Sequence, residues 1–259
     1  MNNYIALHPM KKRVTILPKV FRLILSCICL TIATLTTAQT TNTGTWDVCN
    51  LFYKVNNHYT AWMEVQARSQ NLYTDFFYHQ VKGGLFYNFS KTHNSILIGG
   101  GRYTTYNYSG NFKSPVTTDE VRIWEQLILN NVYSHINVEL RYRLELRWIN
   151  NVYRPCLRYR INPIFTINHE KLVPKTLFVS AYDEIFLGNN NPHFERNRYY
   201  LGMGYEFSNS FIFQLGLLNQ TDYNSKGGQT DKNFIQTTLI FLTDKNTFKK
   251  GNKSSSLNE

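Results

Sequence analysis

Residues 135–148 read HINVELRYRLELRW. Ile136, Val138, Leu140, Tyr142, Leu144, Leu146 and Trp148 alternate with Asn137, Glu139, Arg141, Arg143, Glu145 and Arg147, a period of two without a slip. A helix would scatter both sets around its circumference. An extended strand instead presents one apolar face and one face carrying five ionised groups. Strands in globular sheets run about five or six residues, so a strand of this length and polarity needs a special setting.

The pattern recurs on both sides of this segment. Residues 154–165 set Arg154, Cys156, Arg158, Arg160 and Asn162 against Leu157, Tyr159, Ile161, Pro163 and Phe165. Residues 195–206 set Arg196, Arg198, Tyr200, Gly202 and Gly204 against Tyr199, Leu201, Met203 and Tyr205, and residues 61–68 set Trp62, Glu64, Gln66 and Arg68 against Ala61, Met63, Val65 and Ala67. Candidate strands are 46–55, 58–68, 76–89, 95–108, 119–131, 135–149, 154–168, 175–187, 195–206, 210–221 and 233–243. Between them lie turn-formers such as Asn56-Asn57, Asn150-Asn151 and 188–192. No helical period appears among these segments.

Charges collected on one side of many strands fit two architectures. In a sandwich the apolar faces meet in the middle and the ions face water. In a membrane barrel the apolar faces meet lipid, the ions line the lumen, and closure satisfies every backbone hydrogen bond. Segments this long suit a tilted crossing, and Trp124, Tyr133, Trp148, Tyr153, Phe165 and Tyr205 fall toward strand ends, where interfacial girdles sit. The expected fold is all-β, an antiparallel transmembrane β-barrel of about 10–12 strands. Segment 46–55 is surplus to a ten-strand count from residue 58. It is either an eleventh strand with a twelfth still unseen, or a piece lying inside the lumen. In that ten-strand count, connections 69–75, 109–118, 188–194 and 222–232 are generally longer than those at the other end. The bias predicts the long set outside the cell and both chain ends in the periplasm.

The N-terminus supplies the address. Lys11, Lys12, Arg13, Lys19 and Arg22 precede the apolar run LILSCICLTIATL at 23–35, then Thr36-Thr37-Ala38. This is the order of a secretory signal, and the run is shorter than the roughly 20 residues of a helical span. The expected divisions are a signal peptide at 1–38, a barrel at 39–243 and a flexible polar tail at 244–259, in the outer membrane of a Gram-negative cell. Loss of the five basic residues takes the formal charge from +11 to +6. Much of the basicity therefore belongs to export, and no basic run with interleaved stacking aromatics points to nucleic acid. Cys49 and Cys156 remain in the mature chain and read as small packing residues. No Cys or His spacing suggests a metal, and no cofactor is expected.

The inward set of such a barrel comprises Glu64, Arg68, Glu120, Arg122, Glu139, Arg141, Arg143, Glu145, Arg147, Arg158, Arg160, Glu184, Arg196 and Arg198. Confined charges must pair or stay hydrated. An Arg/Glu ladder that fills a narrow lumen and fixes strand register is the first expectation; a porin-like, arginine-lined cavity favouring a small anionic solute is the second. The expected contacts are outer-membrane lipid and such a solute, with no nucleic acid.

Several phrases also carry a resemblance: Glu64-Val65-Gln66-Ala67-Arg68, Asp119 to Gln126 (DEVRIWEQ), Glu139 to Arg147 (ELRYRLELR), Arg158-Tyr159-Arg160, Tyr182 to Phe186 (YDEIF) and Asn197 to Tyr205 (NRYYLGMGY). In this order they resemble the bacterial family DUF2490. The resemblance covers essentially all of the mature chain and implies an exported outer-membrane barrel of uncharacterised role, with no catalytic residues to transfer. Glu125 breaks the outward apolar parity of 119–131.

The alternative function is an outer-membrane lipid hydrolase or deacylase, which needs a hydroxyl nucleophile beside a histidine. His58, His93, His135, His169 and His193 sit beside turns. His79 is mid-strand with the parity of Phe77, Val81 and Leu85, and Ser180 is the cross-strand nucleophile to consider. Gly99-Gly100-Gly101 lacks the Lys-Ser/Thr and helix of a phosphate loop, so a bulge or a close strand approach is expected. Asp183 and Glu184 are adjacent and should face opposite sides of a strand.

Overall fold

The computed structural model describes residues 43–90, 94–107, 111–113 and 115–244. The expected signal segment, and all of the expected tail except Asp244, lie outside the described residues. Each of the eleven alternating stretches is a strand: β1 Thr43–Lys54, β2 Tyr59–Asn71, β3 Thr74–Asn88, β4 Ser95–Tyr106, β5 Val116–Tyr133, β6 Ile136–Ile149, β7 Val152–Thr166, β8 Leu177–Gly188, β9 Phe194–Ser208, β10 Phe211–Tyr223 and β11 Gln229–Asp244. They close into one barrel in which every neighbour in sequence is a neighbour in space.

Closure settles the surplus segment. The stretch at 46–55 belongs to the wall, pairing antiparallel with β2 and parallel with β11. The β1–β11 seam is the one parallel pairing in an otherwise antiparallel barrel, and its cause is arithmetic. A chain that reverses at each hairpin sends its first and eleventh strands the same way, so an odd count can close only in parallel. The seam is long, running from Thr43 opposite Asn233 to Lys54 opposite Asp244.

A correction follows from the seam. Thr43 lies at the end of the barrel that carries the β2–β3, β4–β5, β6–β7, β8–β9 and β10–β11 connections, whereas Asp244 lies at the other. The two barrel ends of the chain are therefore on opposite sides, not together. The loop-length bias also disappears. The Thr43 end has tight turns at Leu72-Tyr73 and Asn150-Asn151, and the other end has the longest connection, 167–176.

Carried around the eleven pairings, the register returns to β1 displaced by about fifteen residues. With ~3.3 Å per residue and ~4.8 Å between strands, that displacement corresponds to a tilt of roughly 43°. Alternation then sorts the side chains. Outward go Met63, Val65, Val81, Leu85, Ile98, Val121, Ile123, Leu144, Leu157, Leu201, Met203, Leu215 and Leu217, all exposed. Inward go the charged residues together with an aromatic group of Trp46, Trp62, Phe77, Tyr78, Tyr103, Trp124, Tyr200 and Phe234.

Trp124 is thus a correction. It lies mid-strand on the inner wall and not in a girdle, opposite Gly99, where an added Cβ would stand 2.7 Å from its ring. The triple glycine accommodates this close approach, and the β3–β4 and β4–β5 registers run through it without a bulge. Glu125, next along, is exposed on the outer face. The register of β5 is therefore regular, and the carboxylate itself is the exception.

Aromatic rings do gather at both rims. At the Asp244 end Tyr59 packs on Tyr87, and Phe207, Phe211 and Phe241 stack in series. At the Thr43 end Trp148 packs on Tyr153, Phe194 on Tyr223, and Phe76 and Tyr106 on Phe112.

Candidate functional site

The lumen holds a cavity of about 770 Å³. Thirteen of the fourteen charged residues expected inside line it: Glu64, Arg68, Glu120, Arg122, Glu139, Arg141, Arg143, Arg147, Arg158, Arg160, Glu184, Arg196 and Arg198. The fourteenth, Glu145, is fully buried beneath three guanidinium groups.

Two carboxylates organise the middle of the lumen. Glu145 on β6 accepts from Arg122 Nη1 at 3.1 Å, Arg143 Nη1 at 3.2 Å and Arg158 Nη1 at 2.5 Å. Glu184 on β8 accepts from Arg158 Nε at 3.1 Å and Nη2 at 2.7 Å, and from Arg141, with Arg198 Nη1 at 3.7 Å. Arg158 therefore links the two anions, and β5, β6, β7, β8 and β9 are tied by one lattice. Outlying pairs extend it: Arg122 grips Glu120 through Nε and Nη2 at 2.8 and 2.7 Å, Arg160 binds Glu139, and Lys82 binds Glu64 at 2.5 Å. Buried ions demand this saturation, since a charge left single away from water costs several kcal/mol.

Aromatic faces supply the remaining partners. Arg122 lies 3.9 Å from the Tyr103 ring centroid, and Arg158 lies 4.2 Å from that of Phe186. Arg68 is held between Trp46 at 3.3 Å and Tyr78 at 4.0 Å. A desolvated contact of this kind contributes on the order of 2 kcal/mol, and here it does part of the work a carboxylate would otherwise do.

The inner set also contains residues the alternation did not single out. Lys82 follows a stretch in which a bulge opposite Arg68/Ser69 turns both Phe77 and Tyr78 inward, breaking the period. Phe77 therefore does not share the outward face of His79. Glu195 is the extra residue of another bulge, at Phe186/Leu187, and it accepts from Arg147 Nη2 at 2.8 and 2.7 Å. Asp222 binds Arg196 and accepts from Gln220 Nε2 at 2.8 Å; its alternation with Gln220 was visible in sequence, but strand ends carry little periodic signal.

The hydrolase constellation is not assembled. His79 is on β3 and packs its ring against Tyr106 and Phe112, whereas Ser180 is on β8, buried in the lumen and donating to Asn162 Oδ1 at 2.9 Å. β3 and β8 do not pair. The described turn histidines hydrogen-bond within their own rims: His58 with Asn88 O, His135 with Thr166 O, His169 with Thr176 Oγ1 and His193 with Gly188 O; His93 lies outside the described residues. Asp183 faces away from Glu184 and accepts from Asn197 Nδ2 at 2.8 Å. Cys49 is exposed, Cys156 is buried, and neither forms a disulfide. Among the described residues no group of three or more His, Cys, Asp or Glu is placed to hold a metal ion.

No curated protein matches the chain in sequence. The match is at the level of a family model described as a protein of unknown function, DUF2490, which spans residues 43–231, from the first strand into the eleventh. With that span covering most of the barrel wall, the chain belongs to the DUF2490 family.

Proposed function

We propose that this protein is an outer-membrane β-barrel, exported by its N-terminal signal, whose lumen is braced by charge and favours small anions over cations. The observation that carries the reading is the inside-out distribution. Leucines, valines, isoleucines and methionines cover the outside, while arginines and glutamates fill the inside. Water as the outer solvent would leave an apolar surface larger than soluble monomers normally expose. Lipid removes that penalty and explains why the ions turn inward.

Three further features support it. Strands of 12–18 residues at roughly 43° are long enough for a hydrocarbon crossing with projecting rims. The two aromatic rims match the interfacial belts of such barrels. Above the apolar band at the Thr43 end, the outer positions Asn219, Asp231 and Asn233 become polar, as a headgroup region requires.

The lumen chemistry sets the selectivity. Arginines outnumber carboxylates on its wall, so a permeating cation meets net repulsion and an anion net attraction. The lattice around Glu145 and Glu184 crosses the interior and limits flow to small species. The test is to express the chain with its signal and fractionate the envelope. Recovery in the outer-membrane fraction after carbonate washing, with anion-selective conductance of tens of picosiemens or less in planar bilayers, is the expected result. A mature chain that stays dissolved without detergent as a monomer removes the membrane reading. Conductance that is cation-selective removes the lumen reading.

A further inference from the structure

We propose that the Thr43 end of the lumen contains a binding site for a small oxyanion, built on Arg68 and Arg198 across the β1–β11 seam. The inference rests on the lumen reading above in one respect only, that solutes reach the interior from that end.

The first observation is an imbalance of charge confined to one region. Arg68, Arg196, Arg198 and Lys232 converge there from β2, β9 and β11, and Asp222 is the carboxylate that Arg68, Arg196 and Lys232 have in common. Asp222 is committed to Arg196, with Lys232 Nζ at 3.9 Å. Arg68 is 7% exposed and has no carboxylate within ion-pair distance among the described residues; Arg122 and Arg196 are like charges that bear on it. Arg198 donates Nε to Gln220 Oε1 at 2.9 Å and packs 4.6 Å from the Phe186 ring centroid, and its carboxylate share among the described residues is Glu184 at 3.7 Å.

The second observation is the sign of the unmet hydrogen bonding. Among the described residues Arg68 Nε is buried with no acceptor, and its Nη2 finds Gln66 Oε1 at 3.4 Å. That oxygen already accepts from Trp46 Nε1 at 2.8 Å. Among the described residues Arg141 Nε, Arg160 Nε, Trp124 Nε1, Tyr103 OH and Tyr200 OH also lack partners, against two unmet acceptors, Asn137 Oδ1 and Asn197 Oδ1. These groups are predominantly donors, which suits a ligand that only accepts.

The third observation is positioning. Trp46 and Tyr78 both pack on the Arg68 guanidinium, with ring centroids 3.3 and 4.0 Å from its carbon, so what it offers beyond the rings is its N–H edge. Trp46 also carries Arg198 at 4.9 Å from its ring centroid, so two forks are held over one indole. The bulge that turns Phe77 and Tyr78 inward lies at this point of the wall, and bulges commonly re-aim side chains beside functional sites. A planar fork approached along its edge selects a carboxylate, phosphate or sulfate group through paired N–H···O bonds.

Trp46 makes the site measurable. The refolded protein in neutral detergent is titrated with inorganic phosphate, with benzoate and with chloride at constant ionic strength, following tryptophan fluorescence and heat. The expected result is saturable binding of phosphate or benzoate at least tenfold tighter than chloride, weakened at least tenfold by Arg68→Gln and unchanged by Arg102→Gln on the outer wall. Phosphate binding alone assigns a mineral oxyanion, and benzoate binding alone assigns an organic acid. Loss of the heat-dependent mobility shift in Arg68→Gln would mark a folding defect; Arg68→Lys then serves, retaining charge without the fork, and must also bind at least tenfold more weakly. No saturable binding, equal response to chloride, or full binding by folded variants overturns the site. A protein that fails here yet fractionates with the outer membrane loses the site and keeps the barrel reading.

Discussion

Arg158 Nη1 lies 2.5 Å from Glu145 Oε1, and the same guanidinium turns its Nη2 to Glu184 at 2.7 Å. One side chain on β7 thus joins carboxylates on β6 and β8. Glu145 in turn holds Arg122 and Arg143, so its removal strands three cations. Glu145→Ala should destabilise the barrel by ~3–5 kcal/mol, the range for breaking a buried ionic cluster on one side. Glu145→Ala combined with Arg158→Met should recover part of that loss, because the double change removes one stranded charge. Denaturant unfolding of the refolded protein in lipid measures both. An Ala variant with the wild-type midpoint would show that the lattice carries no stability.

Glu125 stands exposed on the outer wall, opposite Ile98 on β4 and Leu144 on β6. A carboxylate facing hydrocarbon is unfavourable, although less so than a basic residue. In lipid bilayers Glu125→Leu should therefore raise the unfolding free energy by about 1 kcal/mol, and Leu144→Arg beside it should lower it by ~2–4 kcal/mol. A barrel surrounded by water would show the opposite order, with Leu144→Arg close to neutral. The sign of the pair separates the two settings without reference to cell fractionation.

The alternation in HINVELRYRLELRW was enough to orient β6, because Tyr142 and Leu144 face out and Arg143 and Glu145 face in at every step. What escaped sequence reading has two physical sources. Bulges leave no trace in composition, so Phe77 turned inward and Glu195 joined Arg147 against the simple period. Closure is a property of the whole ring: nothing local to 46–55 says that it pairs with residues 190 positions later, so the seam and the placement of the chain ends had to come from the register. Trp124 belongs with closure as well, since the side it faces depends on its neighbour across the sheet. Its hydrophobicity suited the outer rim, but the space left by Gly99 is on the inside.

Gly204 on β9 lies where an added Cβ would meet Phe178 Cζ at 2.2 Å, and Phe178 is itself almost fully buried. The ring fills the space that a side chain at 204 would need. Gly204→Val should cost ~1–3 kcal/mol by overpacking. Gly100→Ala, where an added Cβ would have Arg122 O as its nearest neighbour at 3.3 Å, should cost less. Gly204→Val paired with Phe178→Ala should fold better than Gly204→Val alone, which a shift in unfolding midpoint reports. Additive losses in the pair would mean the two positions do not compete for one volume.

Thr43 and Asp244 sit at opposite ends of a barrel whose strands all cross its wall. A barrel set in a membrane must therefore expose one of these ends to each side. An epitope placed immediately before Thr43 should share its accessibility with one placed in the 224–228 turn, since both lie at the same rim. An epitope placed after Asp244 should share its accessibility with one in the 167–176 connection. In intact cells, antibody or protease should reach one of these two groups and not the other, and permeabilising the outer membrane should equalise them. If the epitopes before Thr43 and after Asp244 are both reached, or both protected, in intact cells whose loop epitopes differ, the eleven-strand closure with a parallel seam is wrong. An even-stranded barrel, with its first and last strands antiparallel, is the geometry that such a result would require.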